Sequence, residues 1–233
     1  MIILALESTA KVASVAICRD GEILYSAQGN NGMTHSQQLL PMVQYALEHC
    51  QISPDQIDRY AVTMGPGSFT GVRIAIAVVK GLAFGKGECC AGVSTLLSLA
   101  RNIVPLQGIY CPVMDARREQ VYTALFRYEN GILTRLTEDA ALSLTDLADQ
   151  LKAYQDTPIY LCGDGYEVAG PRLKEAGIKL TDIPASLRPQ NAASTALCVL
   201  DQGDDVELIT ADALEPLYLR LPQAERERLK AQE

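Results

Sequence analysis

Histidine is nearly missing from this chain: His35 and His49 are the only two among 233 residues. They stand fourteen residues apart at opposite ends of one expected helix, so they cannot share a metal by themselves. His35, within THSQ, suits a helix start; His49, beside Cys50, suits a helix end, where a partial positive charge is favourable. The seven cysteines include no CxxC pair. Cys18, Cys89, Cys90, Cys111, Cys162 and Cys198 lie in apolar stretches and read as reduced, buried, small apolar residues. A basic excess is also lacking. The formal charge of -8 excludes overall attraction to nucleic acid or an anionic membrane, so any RNA contact has to be local or supplied by a partner. Long hydrophobic runs are missing too, because the longest, residues 72 to 85, is interrupted by Arg73, Lys80 and Gly81. The start MIILALESTA has neither the basic region nor the apolar length of a signal peptide and reads as a first strand, so a cytoplasmic protein is expected.

What is present is globular: 48% apolar and 21% charged residues, in a length that suits one large domain or two of about 100 residues each. IILALES, VASVAICR and EILYSAQ read as three strands, the last two joined by the hairpin signal Asp20-Gly21. SQQLLPMVQYALEHC then has helical spacing, YAVTMG is a strand, GVRIAIAVVKGLAF a helix, ECCAGV a strand and STLLSLARNIV a helix. From residue 109 the order begins again with IYCPVMDA, QVYTALFRY and ILTRLTE, and Asn130-Gly131 takes the hairpin position. TDLADQLKAY, PIYLCG, YEVAGPRLKEAG, KLTDI and NAASTALCVLDQ continue as helix, strand, helix, strand and helix. Even the acidic residue after the first strand recurs, as Glu7 and Asp115. A duplicated βββαβαβ unit is the pattern of the ribonuclease H-like, actin-like fold, an α/β class in which two lobes face each other across a cleft. The boundary falls near Pro105 to Gly108, giving a first lobe over 1–107 and a second over 108–233, with a charged tail, AERERLKAQE, that reads as a solvated helical end or packs back on the first lobe.

The glycine loop GPGSFTG, before the second helix, admits two readings. Gly65, Gly67, Ser68 and Thr70 could hold a phosphate, since glycines bring backbone amides together at a helix start. No GK[ST] follows and the spacing is GxGxxxG, so the competing reading is a tight strand-to-helix turn capped by Ser68 or Thr70. The helix beyond it has almost no polar face, and a helix apolar all round needs cover on every side. The preceding helix, with Pro41 near its start, is also apolar on more than one stripe. Leu39, Leu40, Val43 and Leu47, with Val72, Ile76 and Val79, are therefore expected to form a contact with a second protein surface, with burial against the second lobe as the alternative.

ILALESTAKVASVAI, THSQQLLPMVQYAL, GPGSFTGVRIAIAVVKGLA and PLYLR together closely resemble the TsaB (YeaZ) family of bacterial subunits for threonylcarbamoyladenosine synthesis in tRNA. The resemblance covers most of the first lobe and touches the chain again at residues 216 to 220. It implies a noncatalytic partner of a TsaD-like catalytic subunit, joined by a TsaE-like ATPase, with tRNA met only through the complex and a homodimer when the chain is alone. In TsaD-type sequences an HxxxH binds a metal beside the nucleotide; Thr95 and Leu99 fall at those positions here, and neither replaces an imidazole. No metal and no tightly bound cofactor are expected, with ATP or ADP restricted to a partner interface. The alternative is an ATP-dependent kinase or ATPase of the actin-like fold using Glu7, Ser8, Thr9, Asp115, the Gly65 loop and Gly163-Asp164-Gly165, each of which also has a structural reading as a turn. Arg117 with Arg118, and Arg220 with Arg226 and Arg228, are the only local basic groupings; they read as solvated faces, as ion pairs with Glu119 and Glu225, or as phosphate contacts within a complex.

Overall fold

A computed structural model describes residues 1–220; the tail AERERLKAQE, with Glu225, Arg226 and Arg228, lies outside the described residues. Strands β1 (Ile2–Glu7), β2 (Ala13–Arg19) and β3 (Glu22–Gly29) form the antiparallel opening. Helix α1 (His35–Cys50), strand β4 (Arg59–Gly65), helix α2 (Phe69–Leu82), strand β5 (Glu88–Ser94) and helix α3 (Thr95–Arg101) follow. The β2–β3 turn has Asp20 and Gly21 at φ 49° and 91°, the doubly positive pair that matches the twist of a two-residue hairpin.

The second lobe contains β6 (Gly108–Asp115), β7 (Gln120–Thr123), β8 (Phe126–Glu129), β9 (Ile132–Arg135), β10 (Ala140–Ser143), α4 (Leu144–Leu151), β11 (Ile159–Cys162), α5 (Tyr166–Glu175) and β12 (Leu180–Thr181). QVYTALFRY, expected as one strand, is two. Ala124 and Leu125 turn fully inward between β7 and β8, and the Leu125 backbone bonds to Leu136 and Thr137 instead of to the ladder. As a result β6 pairs with β7 through Val113–Asp115 and with β8 through Gly108–Tyr110. The sheet order is β10-β7-β6-β11-β12, with the β8–β9 hairpin beside it.

After β12 the chain leaves the second lobe. Helix α6 (Ala192–Asp201) packs Ala192, Ala196 and Val199 against Ile3, Ala5, Ala16, Ala61 and Val93, on the face of the first sheet opposite α1 and α2. Strand β13 (Ile209–Thr210), without a counterpart in the periodicity, adds to the edge of β5 and completes the order β13-β5-β4-β1-β2-β3. β1 shows why both faces need cover. Leu4 and Leu6 point to the α1/α2 side and Ile3 and Ala5 to the α6 side, all at most 1% exposed. A further cluster of Leu96, Leu99 and Ile103 with Tyr110, Phe126 and Met114 joins α3 to the second lobe. Among the described residues no helix is long and apolar enough to cross a membrane.

Candidate functional site

The glycine loop is filled by the chain itself. Ser68 N donates to Thr9 O at 2.6 Å, Ser8 Oγ donates to Gly71 O at 2.8 Å, and Ser68 Oγ accepts from Gly71 N at 3.2 Å as the cap of α2. A Cβ at Gly67 would stand 2.5 Å from Thr9 O and 3.2 Å from the Met114 methyl, and one at Gly71 would overlap Ser8 O. These glycines let the β4–α2 connection lie against the β1–β2 turn, and Thr70 is exposed at the start of α2. The capping role is therefore visible at Ser68, whose amide is already engaged.

Glu7 ends β1 fully buried. Its Oε1 accepts from Thr9 N at 2.5 Å and Thr9 Oγ1 at 2.6 Å, while Oε2 is buried without a hydrogen-bond partner. Burial pushes its pKa up, opposed by the Thr9 hydrogen bonds. Its counterpart Asp115 is exposed and caps a turn by accepting from Arg117 N at 2.7 Å. Asp164, in the β11–α5 turn, accepts from Gln190 Nε2 at 3.3 Å, and burial raises its pKa as well.

The expected interface residues divide. Leu39, Val43, Leu47, Val72, Ile76 and Val79 are at most 8% exposed and belong to the lobe's own core with Leu4, Leu6, Val15 and Tyr60. Of the seven, only Leu40 faces outward, at 45% exposure. The correction has a simple origin: hydrophobicity by residue type marked both sides of α1 and α2, and the stripe at Leu39, Val43, Ala46 and Leu47 is the one the sheet claims. Apart from Leu40, the outward edge consists of other residues. On α1 it carries Leu40, Pro41 and Tyr45, and on α2 it carries Arg73, Ile74, Ala77 and Val78, with Gly81 beyond. Pro41 lies within the second turn of α1 rather than at its start. Tyr45, 58% exposed, stacks on His49 with ring centroids 5.8 Å apart.

A family model described as TsaD, tRNA N6-adenosine threonylcarbamoyltransferase, matches residues 31–186, more than half of the chain. The tRNA threonylcarbamoyladenosine biosynthesis protein TsaB of Bacillus subtilis is 30% identical over 232 residues, covering 100% of both chains. The chain belongs to the TsaB (YeaZ) family. Among solved structures, a Pseudomonas aeruginosa protein described as similar to peptidase YEAZ superposes with a TM-score of 0.76 at 28% identity, covering 94% of this chain and 99% of the other. At the level of fold alone, the ethanolamine utilization protein EutJ of Carboxydothermus hydrogenoformans superposes with a TM-score of 0.52 at 12% identity, covering 84% and 89%. The architecture is the duplicated, actin-like α/β fold.

Within this TsaB-family chain, Thr95 and Leu99 are both fully buried on α3, and neither carries a nitrogen or carboxylate for a metal. The two histidines are far apart in role as well. The His35 ring Nε2 lies 2.7 Å from Ala10 O, and His49 belongs to an aromatic group with Tyr25 and Tyr45. Among the described residues no group of three or more His, Cys, Asp or Glu side chains could hold a metal ion. Of the basic residues singled out in the sequence, Arg117 and Arg118 are exposed on the β6–β7 turn, and Arg220, partly buried, donates to Ala116 O of that same turn.

Proposed function

We propose that the chain acts in tRNA threonylcarbamoyladenosine biosynthesis as a noncatalytic subunit. It pairs with a TsaD-like catalytic subunit through the outward edge of α1 and α2, a TsaE-like ATPase joins the pair, and tRNA is engaged through the assembly. The observation that carries the pairing is the apolar edge of exposed Leu40, Pro41 and Tyr45 on α1 with exposed Ala77 and half-buried Ile74 and Val78 on α2. The small residues Ala77 and Gly81 allow a partner helix to approach closely, and the larger ones supply area to bury. Without a TsaD-like partner the same edge serves for self-association. The noncatalytic role is supported by Thr95 and Leu99 standing where the paralogue's ligands are expected.

The kinase or ATPase reading has less support, because the amide of Ser68 and the open side of Gly67 are occupied by Thr9 and Met114. Nucleotide, where the assembly uses it, is assigned to the partner interface. The test is co-purification of the chain with the TsaD-like protein of the same cell, followed by a tRNA modification assay with and without each component. A stable pair, and modification that needs both proteins, is the expected result. Modification that proceeds undiminished without this chain would remove the assignment.

A further inference from the structure

Two chain crossings join the lobes next to each other. The first is the linker after α3, where Asn102 Nδ2 donates to Pro189 O at 2.6 Å and so binds it to the second, the return from β12 to α6. That return is held at the end of β11 by Gly163 N donating to Arg188 O at 2.7 Å and Gln190 Nε2 donating to Asp164 Oδ1 at 3.3 Å. The two crossings, tied together, form one line between the lobes; beside it the lobes also meet through the α3 cluster and through Ser94 Oγ, which donates to Asp139 Oδ2 at 2.6 Å.

A third link lies elsewhere. Leu217 N donates to Met64 O at 2.7 Å, which fixes the segment to the end of β4. Tyr218 stacks on Phe69 with centroids 5.1 Å apart, and its hydroxyl accepts from Arg73 Nε at 2.7 Å, while the Arg73 guanidinium sits 4.0 Å above Phe69. Two residues on, the Arg220 guanidinium donates to Ala116 O at 3.2 Å and to Gln120 Oε1, and lies 5.7 Å from the Tyr122 ring. In the second sheet β7 and β11 flank β6 on opposite sides, so this link grips the side away from the first two crossings.

Two features elsewhere in the chain answer to this segment. Gly65 has φ +118°, and a Cβ there would stand 2.5 Å from Leu217 O, so the first glycine of the loop makes room for the segment's backbone. The turn that Arg220 holds contains three successive non-glycine residues at positive φ, Arg117 at 61°, Arg118 at 55° and Glu119 at 56°. Such a run persists only where its surroundings fix it.

We propose that residues Leu217 to Arg220 are an interlobe clasp: Tyr218 anchors it on α2, Arg220 anchors it on the β6–β7 turn, and together they lock the lobes against hinge opening. The clasp keeps α1 and α2 in one orientation relative to the second lobe. Hydrogen–deuterium exchange on the full chain tests it, with urea unfolding as the control for global stability. Arg220→Ala is expected to speed exchange by about fivefold or more in residues 115 to 121, fivefold being the change that losing one of its two hydrogen bonds produces, with β1 and β2 unaltered. Tyr218→Ala removes only the first-lobe anchor, yet the same second-lobe turn is expected to respond. Unchanged exchange in that turn for either variant overturns the clasp. So does a uniform rise across the chain with a lower urea midpoint, which would make the segment a general stabiliser.

Discussion

Leu39 and Leu40 are neighbours on α1, about 100° apart around the helix, and differ in burial: Leu39 is fully buried beneath the helix pair, and Leu40 is 45% exposed on its outward edge. Ile76 repeats the inward case on α2, at 4%. Leu40→Asp is therefore expected to leave the fold intact and to abolish pairing with a TsaD-like subunit in size-exclusion chromatography. Ile76→Asp places a carboxylate in the first-lobe core, at several kcal/mol, and should unfold the lobe before any effect on pairing can be read. Circular dichroism melts of the two free variants separate these outcomes; equal melting points would contradict the inward and outward assignment.

Gly71 and Gly81 both belong to α2 and are expected to respond with opposite signs. A Cβ at Gly71 runs into the backbone oxygen of Ser8, so Gly71→Ala should cost about 1–3 kcal/mol in urea unfolding as the β1–β2 turn is displaced. Around Gly81 a Cβ meets nothing within 4 Å, and its φ is not positive. Gly81→Ala should then stabilise by about 0.4–1 kcal/mol through a less flexible unfolded chain. A stabilising Gly71→Ala would show that the loop does not pack on Ser8.

Glu7 predicts a dependence on pH. Its folded pKa is raised above the ordinary 4.5 mainly by burial, so the folded state holds a proton that the unfolded state releases. Stability therefore falls as pH climbs from the ordinary carboxylate range toward the raised value, and levels off above it. Glu7→Gln keeps an oxygen for the two Thr9 hydrogen bonds and carries no charge. The variant should be more stable than the parent at pH 7, with the difference closing below about pH 4. A difference that widens in acid would mean that Glu7 is ionised and stabilised in the fold.

The cysteines should label unequally. All seven are free; Cys50, at the end of α1, is half-buried and the other six are buried. Burial pushes the thiols of Cys111 and Cys198 up to about 12, and burial with the neighbouring Cys89 does the same to Cys90. Under native conditions at pH 8 a thiol reagent should modify Cys50 first, with the remainder following only on denaturation. Peptide mapping that finds Cys111 or Cys162 modified first would contradict the packing of the second-lobe core.

The order of elements in the first half was open to reading from sequence because each signal is local, whereas in the second half the split of QVYTALFRY into β7 and β8 and the strand β10 were not. Short, nearly continuous apolar runs mark β1 and β2, Asp20-Gly21 and Asn130-Gly131 mark the hairpins, and 3.6-residue spacing marks α1 and α2. The Ser68 cap was visible for the same reason, since a helix start uses its immediate neighbours. Tertiary structure alone decided which apolar stripe of α1 and α2 faces the sheet, that α6 returns to the first sheet, that β13 extends its edge and that Arg220 reaches Ala116. Each of these joins residues far apart along the chain or selects among faces equal in hydrophobicity, and that choice is made by how the whole set of elements packs, which no short window of sequence contains.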